Sequence, residues 1–174
     1  MTIQLEGRAR VVGDDINTDY IIASARKRDT LDESVLKRYL LEALDPSFAE
    51  SVRDGDVLVA GRNFGCGSAM EVAATVILAA GIRAVLARSF ARTFYRNAIN
   101  NGLIPVECDT SRASEGDRVS LRLAHGGIEV VNLSSGQRTS AAPLPEIVLA
   151  ILESGGLVPY VKRSGRWGEP PGPR

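Results

Sequence analysis

Residues 57–87 read VLVAGRNFGCGSAMEVAATVILAAGIRAVLA, and the reading of this stretch decides the fold. Two short runs, "VLVAG" at 57–61 and "RAVLA" at 83–87, are apolar at nearly every position. Such runs are the pattern of strands buried on both faces. Between them, residues 69–80 are small or apolar and close on Gly81, which predicts a helix with a glycine stop. The alternation then continues. "SFARTFYRNAINNG" at 89–102 predicts a helix with Ser89 as N-cap and Asn101-Gly102 as its end, and "LIPVEC" at 103–108 predicts another strand. Strands alternating with helices imply an α/β fold, three-layered, with a mostly parallel central sheet flanked by helices.

Upstream, residues 8–12 read as a first strand, followed by the turn-rich "GDDINTD" and a short apolar piece, "YIIA". "SARKRDTLDE" reads as an exposed basic loop running into a helix over 32–44, which stops before Pro46. After Thr110 the order changes. "RVSLRL", "IEVVNL" and "QRTSA" are short strands joined by Gly- and Ser-rich turns, a small β-rich C-terminal part. A last helix is expected over 145–153. The globular domain is drawn at 1–161, and residues 162–174, ending "GEPPGPR", read as a disordered tail.

Lys plus Arg and Asp plus Glu number 21 each, so the net charge is zero, which argues against nucleic acid or an anionic membrane as partner. No run reaches transmembrane length, and the N-terminus lacks a signal-peptide core; a cytoplasmic location is expected. Cys66 and Cys108 make no disulfide framework and too few ligands for a metal on this chain. The single histidine, His125, lies in an expected hairpin turn. Acid–base chemistry here would therefore need machinery from another molecule.

Within "GCGS", Ser68 and Glu71 have capping-box spacing, and that alone accounts for both. It does not account for Gly65 and Gly67, which imply close backbone approach or positive φ, or an anion at a helix start. Cap and active site both remain open on the residues alone. Cys66 reads as a packed small residue.

"GDDINTDYII", "DGDVLVAGRNFGCGS", "AVLARSFARTFYRNAINNGLIPV" and "SGGLVPYV" together resemble the small subunits of 3-isopropylmalate dehydratase and homoaconitase, and the swivel domain of aconitase. The resemblance runs from Arg8 to Val161. It implies an aconitase-type swivel domain working with a large subunit that carries a 4Fe–4S iron–sulfur cluster, this chain binding no cofactor. The implied reaction is dehydration and rehydration of a hydroxy-diacid or -triacid, most closely the isomerisation of 3-isopropylmalate in leucine biosynthesis. Ser68 then matches the carbon base, and Asp19 the carboxylate that supports the partner's acid histidine.

The resemblance also shows departures. Where family members read Gly-Ser-Ser-Arg-Glu-His-Ala, this chain has Gly67-Ser68-Ala69-Met70-Glu71-Val72-Ala73, so an arginine that grips substrate becomes Met70. Gly67, Ala69 and Met70 are the implied substrate-facing positions. Arg26, Lys27 and Arg28 either lie solvated or meet the carboxylate that Met70 does not hold, with Arg26 and Arg28 as the candidates. A divergent hydroxy-acid substrate and a non-catalytic binding subunit are the alternatives.

Overall fold

The computed structural model describes residues 2–165. The chain begins with strand β1 (Thr2–Val11), then three short helices, α1 (Thr18–Ile21), α2 (Ser24–Asp29) and α3 (Glu33–Leu36). A 3-10 turn over Lys37–Tyr39 and helix α4 (Phe48–Ser51) lead into β2 (Val57–Ala60). Then come α5 (Val72–Ala79), β3 (Ala84–Ala87), α6 (Arg92–Asn101) and β4 (Ile104–Glu107). Strands β5 (Arg118–Ala124), β6 (Gly127–Asn132) and β7 (Arg138–Ala141) precede α7 (Glu146–Glu153) and α8 (Leu157–Ser164).

The seven strands form one sheet in the order β4-β3-β2-β1-β5-β6-β7. From β4 to β1 the pairing is parallel, and from β1 to β7 it is antiparallel. The β-rich part is thus a continuation of the same sheet, joined through β1, which pairs with β2 on one side and β5 on the other. That double duty explains why β1 runs from Thr2 and not from Arg8: its first half pairs only with β5.

Alternation along β2 divides the interior. Leu58 and Ala60 face a core with Ile21, Leu36, Phe64, Ile77 and Phe94, while Val57 and Val59 face another with Leu121, Ile128, Leu149 and Leu152. Helices α1, α3 and α5 cover the first face and α7 the second, which is why β2 and β3 are apolar throughout.

Three expectations are corrected. The helix over 32–44 is only α3, which Asp32 caps, plus the 3-10 turn, because Leu41 turns left-handed (φ 57°) and its amide donates to Ile21 O at 2.9 Å. The basic loop is helical, as α2. Helix α6 starts at Arg92 with Ala91 as N-cap, and Ser89 Oγ accepts the Asn63 amide instead. The drawn boundary at 161 falls inside α8, which runs through Ser164, and residues 166–174 of the expected tail lie outside the described residues.

Candidate functional site

Parallel pairing puts the loops that follow β1, β2 and β3 at one end of the sheet, the carboxyl end, where α/β folds place their ligands. Here the loops are laced together. Asp15 N donates to Arg62 O (2.8 Å), Gly65 N to Ile16 O (2.8 Å) and Thr18 N to Cys66 O (2.8 Å). On the other flank Phe64 N donates to Ser89 O (3.0 Å) and Ala91 N to Phe64 O (2.9 Å). The loop carrying Ser68 therefore runs as a middle lane between its two neighbours.

The two glycines answer to this crowding. Gly65 (φ 78°) lies on the Phe94 ring, where a Cβ would sit 2.2 Å from Cγ. Phe94 is fixed in turn by edge contacts with Phe64, their centroids 5.0 Å apart. Gly67 (φ 91°) lies against the Asn17 side chain, where a Cβ would sit 2.5 Å from Oδ1. No other residue fits either position without displacing a neighbour.

Ser68 is exposed and lies in a bend. The expected capping box is absent: α5 begins only at Val72, its N-cap is Glu71, and no side chain caps it. Glu71 instead accepts from Asn101 Nδ2 at 3.2 Å. Ser68 is held through its backbone, its carbonyl accepting from Thr18 Oγ1 at 3.0 Å. Its own Oγ has no hydrogen-bond partner among the described residues. A hydroxyl in that state is available to a ligand.

Asp19 is brought to the same place by α1. Asn17 caps that helix, its Oδ1 accepting the Asp19 amide at 2.9 Å. Asp19 Oδ1 accepts from Ser24 Oγ (2.6 Å) and Ser24 N (3.2 Å), while Oδ2 has no partner among the described residues. Ser24 Oγ lies 3.9 Å from Met70 Sδ, and Lys27 Nζ lies 2.7 Å from the same sulfur. Met70 is buried and Ala69 exposed. The cluster therefore joins Asp19, Ser24 and Lys27 to the loop of Gly67, Ser68, Ala69 and Met70.

Two of the expected cations are placed differently. Arg26 chelates Glu42, Nε at 2.8 Å and a terminal nitrogen at 3.0 Å, and stacks 3.9 Å above the Tyr39 ring. Arg28 is exposed and makes no hydrogen bond or ion pair among the described residues. Ser24 and Thr18 were not singled out from sequence as site residues, and Lys27 was named there only as one of three loop cations, behind Arg26 and Arg28. The one available signal was position: Thr18 lies inside the "NTD" turn, and Ser24 opens α2.

Cys66 is half-buried, and its backbone bridges to Asn17. Burial, helped by Asp109, pushes the Cys108 thiol up to about 11, so it stays protonated at neutral pH. Among the described residues no group of three or more His, Cys, Asp or Glu could hold a metal ion. This chain's own side chains therefore do not fit an iron–sulfur cluster.

A mixed sheet with a serine following a Gly-Cys-Gly turn at its carboxyl end, stitched to an Asn-Thr-Asp turn, defines an aconitase-type swivel domain. Residues 26–111 match the Aconitase C-terminal domain family model. The 3-isopropylmalate dehydratase small subunit 1 of Methanopyrus kandleri is 49% identical over 165 residues, 92% of this chain and 94% of that one. The isopropylmalate/citramalate isomerase small subunit of Methanocaldococcus jannaschii is 41% identical over 161 residues, 91% of this chain and 94% of its own. The crystal structure of 3-isopropylmalate dehydratase from Methanocaldococcus jannaschii superposes with a TM-score of 0.88 at 41% identity, covering 94% of this chain and 96% of that chain. The chain belongs to the 3-isopropylmalate dehydratase small-subunit family.

Proposed function

We propose that this chain is the small subunit of a hydro-lyase that isomerises a substituted malate by losing and regaining water, with 3-isopropylmalate of leucine biosynthesis as substrate. The observation that carries the reading is Ser68: an exposed hydroxyl without a partner among the described residues, its backbone fixed by Thr18, directly after two glycines that tolerate no side chain. The relatives' names supply the reaction.

Within this reading Ser68 Oγ takes the proton from the carbon next to a substrate carboxylate. Serine is a weak base in water, so the step needs a site closed by a second chain and cations close to the developing charge. Asp19 uses its free Oδ2 to orient an imidazole of the partner, which fixes that ring's tautomer and raises its basicity. Gly67 and Ala69 form the exposed substrate-facing edge, with Met70 buried beneath it and the charge of Lys27 beside it, while Arg26 is tied to Glu42 and Arg28 lies exposed. The cluster that would act on the departing hydroxyl belongs to the partner, in the cytoplasm, and no step on this chain runs through it.

The test is reconstitution with the large subunit. The complex dehydrates 3-isopropylmalate, and Ser68→Ala lowers kcat by roughly 10²- to 10⁴-fold without changing the melting temperature. A Ser68→Ala complex with undiminished kcat would sink the assignment. A second substrate reading is favoured by Met70 and by the relative named for both isopropylmalate and citramalate. A panel of substituted malates decides it, the smaller diacid matching or exceeding 3-isopropylmalate in kcat/KM if that reading is right.

A further inference from the structure

We infer that Lys27 is the cation that binds a carboxylate of the substrate beside Ser68. This deepens the hydro-lyase reading and rests on it.

Helix α2 offers three consecutive cations, Arg26, Lys27 and Arg28, and the structure separates them by what each touches. Arg26 is neutralised by a bidentate contact with Glu42 and covers the Tyr39 ring. Arg28 is exposed and contacts no group of the Ser68 loop. Lys27 alone reaches across to that loop, its Nζ 2.7 Å from Met70 Sδ.

A thioether is a weak acceptor with no charge, so it fixes the position of an ammonium without neutralising it. Met70 is itself 6% exposed, so the anchor is rigid. Among the described residues no carboxylate lies within ion-pair distance of Lys27. The acid nearest in the hydrogen-bonded chain is Asp19, and its Oδ1 is held by Ser24. Half-buried and without a counter-ion among the described residues, the ammonium rests on Met70, which lies two residues along the chain from the exposed Ser68. Folding gains little from desolvating a cation in that way; an incoming carboxylate gains a charge-assisted hydrogen bond.

The experiment uses the complex reconstituted with its large subunit and cluster. Lys27→Met should raise KM for the diacid by on the order of 10- to 100-fold, with kcat changed much less. A substrate analogue with one carboxylate replaced by a carboxamide should bind wild type and Lys27→Met alike, which a general structural defect would not produce. Met70→Arg placed in the Lys27→Met background returns a cation to the same spot and should recover most of the lost affinity. Unaltered KM in an assembled Lys27→Met complex overturns the inference. If the variant fails to assemble, the wild-type complex carries the test. Substrate should then protect Lys27, and not the exposed Lys37, from an amine-reactive label read by mass spectrometry, and equal labelling of Lys27 with and without substrate overturns it. A wild-type complex that turns over no substituted malate would instead refute the functional reading, so the two failures are distinguishable.

Discussion

At the amino end of β2, Arg8 and Arg10 converge on Asp56; at the carboxyl end of the sheet, Lys27 leans on Met70. The first cluster is paired in charge, although the buried Arg10 Nη1, 3.6 Å from Asp56 Oδ2, makes no hydrogen bond among the described residues. Asp56, 3% exposed, accepts from Arg8 at 2.7 and 3.2 Å and from the Arg53 amide at 2.9 Å. Arg10 adds Glu115 at 2.7 Å, Ser51 Oγ at 2.8 Å and the Phe48 ring 4.5 Å beneath it. The second cluster is open, with a cation on a sulfur and a hydroxyl that has no partner among the described residues. Where charge serves the fold, it is matched within the chain. Where it is left unmatched, it is placed for another molecule.

Substitutions that exchange these roles would break the comparison. The largest effect is expected from Asp56→Ala, which leaves Arg10 buried with a single exposed counter-ion: about 3–5 kcal/mol lost in urea denaturation, by the usual magnitude for a broken buried pair. At the site, Gly67→Ala forces a side chain into Asn17 at positive φ and should cost about 1–3 kcal/mol. It should also lower activity further than that loss explains, since Asn17 positions Asp19. The intermediate case, Glu42→Gln, releases a part-exposed arginine and should cost under about 1 kcal/mol, with KM for the diacid unchanged. A marked KM effect there would move the carboxylate site from Lys27 to Arg26.

Acid sharpens the same contrast. Burial pushes the Asp56 carboxyl up, but Arg8, the Arg53 amide and the charge of Arg10 together hold it below the ordinary carboxylate value. A depressed folded pKa gives stability that is present above the unfolded value and lost as pH falls through the folded one. The stability gap between wild type and Asp56→Asn should therefore narrow steadily in urea titrations taken below about pH 4. The stability gap between wild type and Ser68→Ala should not move with pH.

The parallel strands were legible because β2 and β3 are covered on both faces and so carry no polar alternation to misread. Helix starts were harder. Ser68 and Glu71 have capping spacing, yet Met70 is drawn into the core and Glu71 turns to Asn101, so the helix opens later. Leu40 and Leu41 are both fully buried, which a continuous helix over 32–44 would have to achieve on one face; the chain turns at Leu41 instead. In the candidate site the sequence showed which residue types were present. It could not show direction, and direction separates Lys27 from its two neighbours.

The backbone bonds from Ile16 to Gly65 and from Thr18 to Cys66 bear on engineering. Specificity in this scaffold cannot be transplanted one segment at a time. A chimera that replaces the Gly-Cys-Gly-Ser loop with a relative's would have to replace the Asn-Thr-Asp arm as well, as a matched pair of spliced modules.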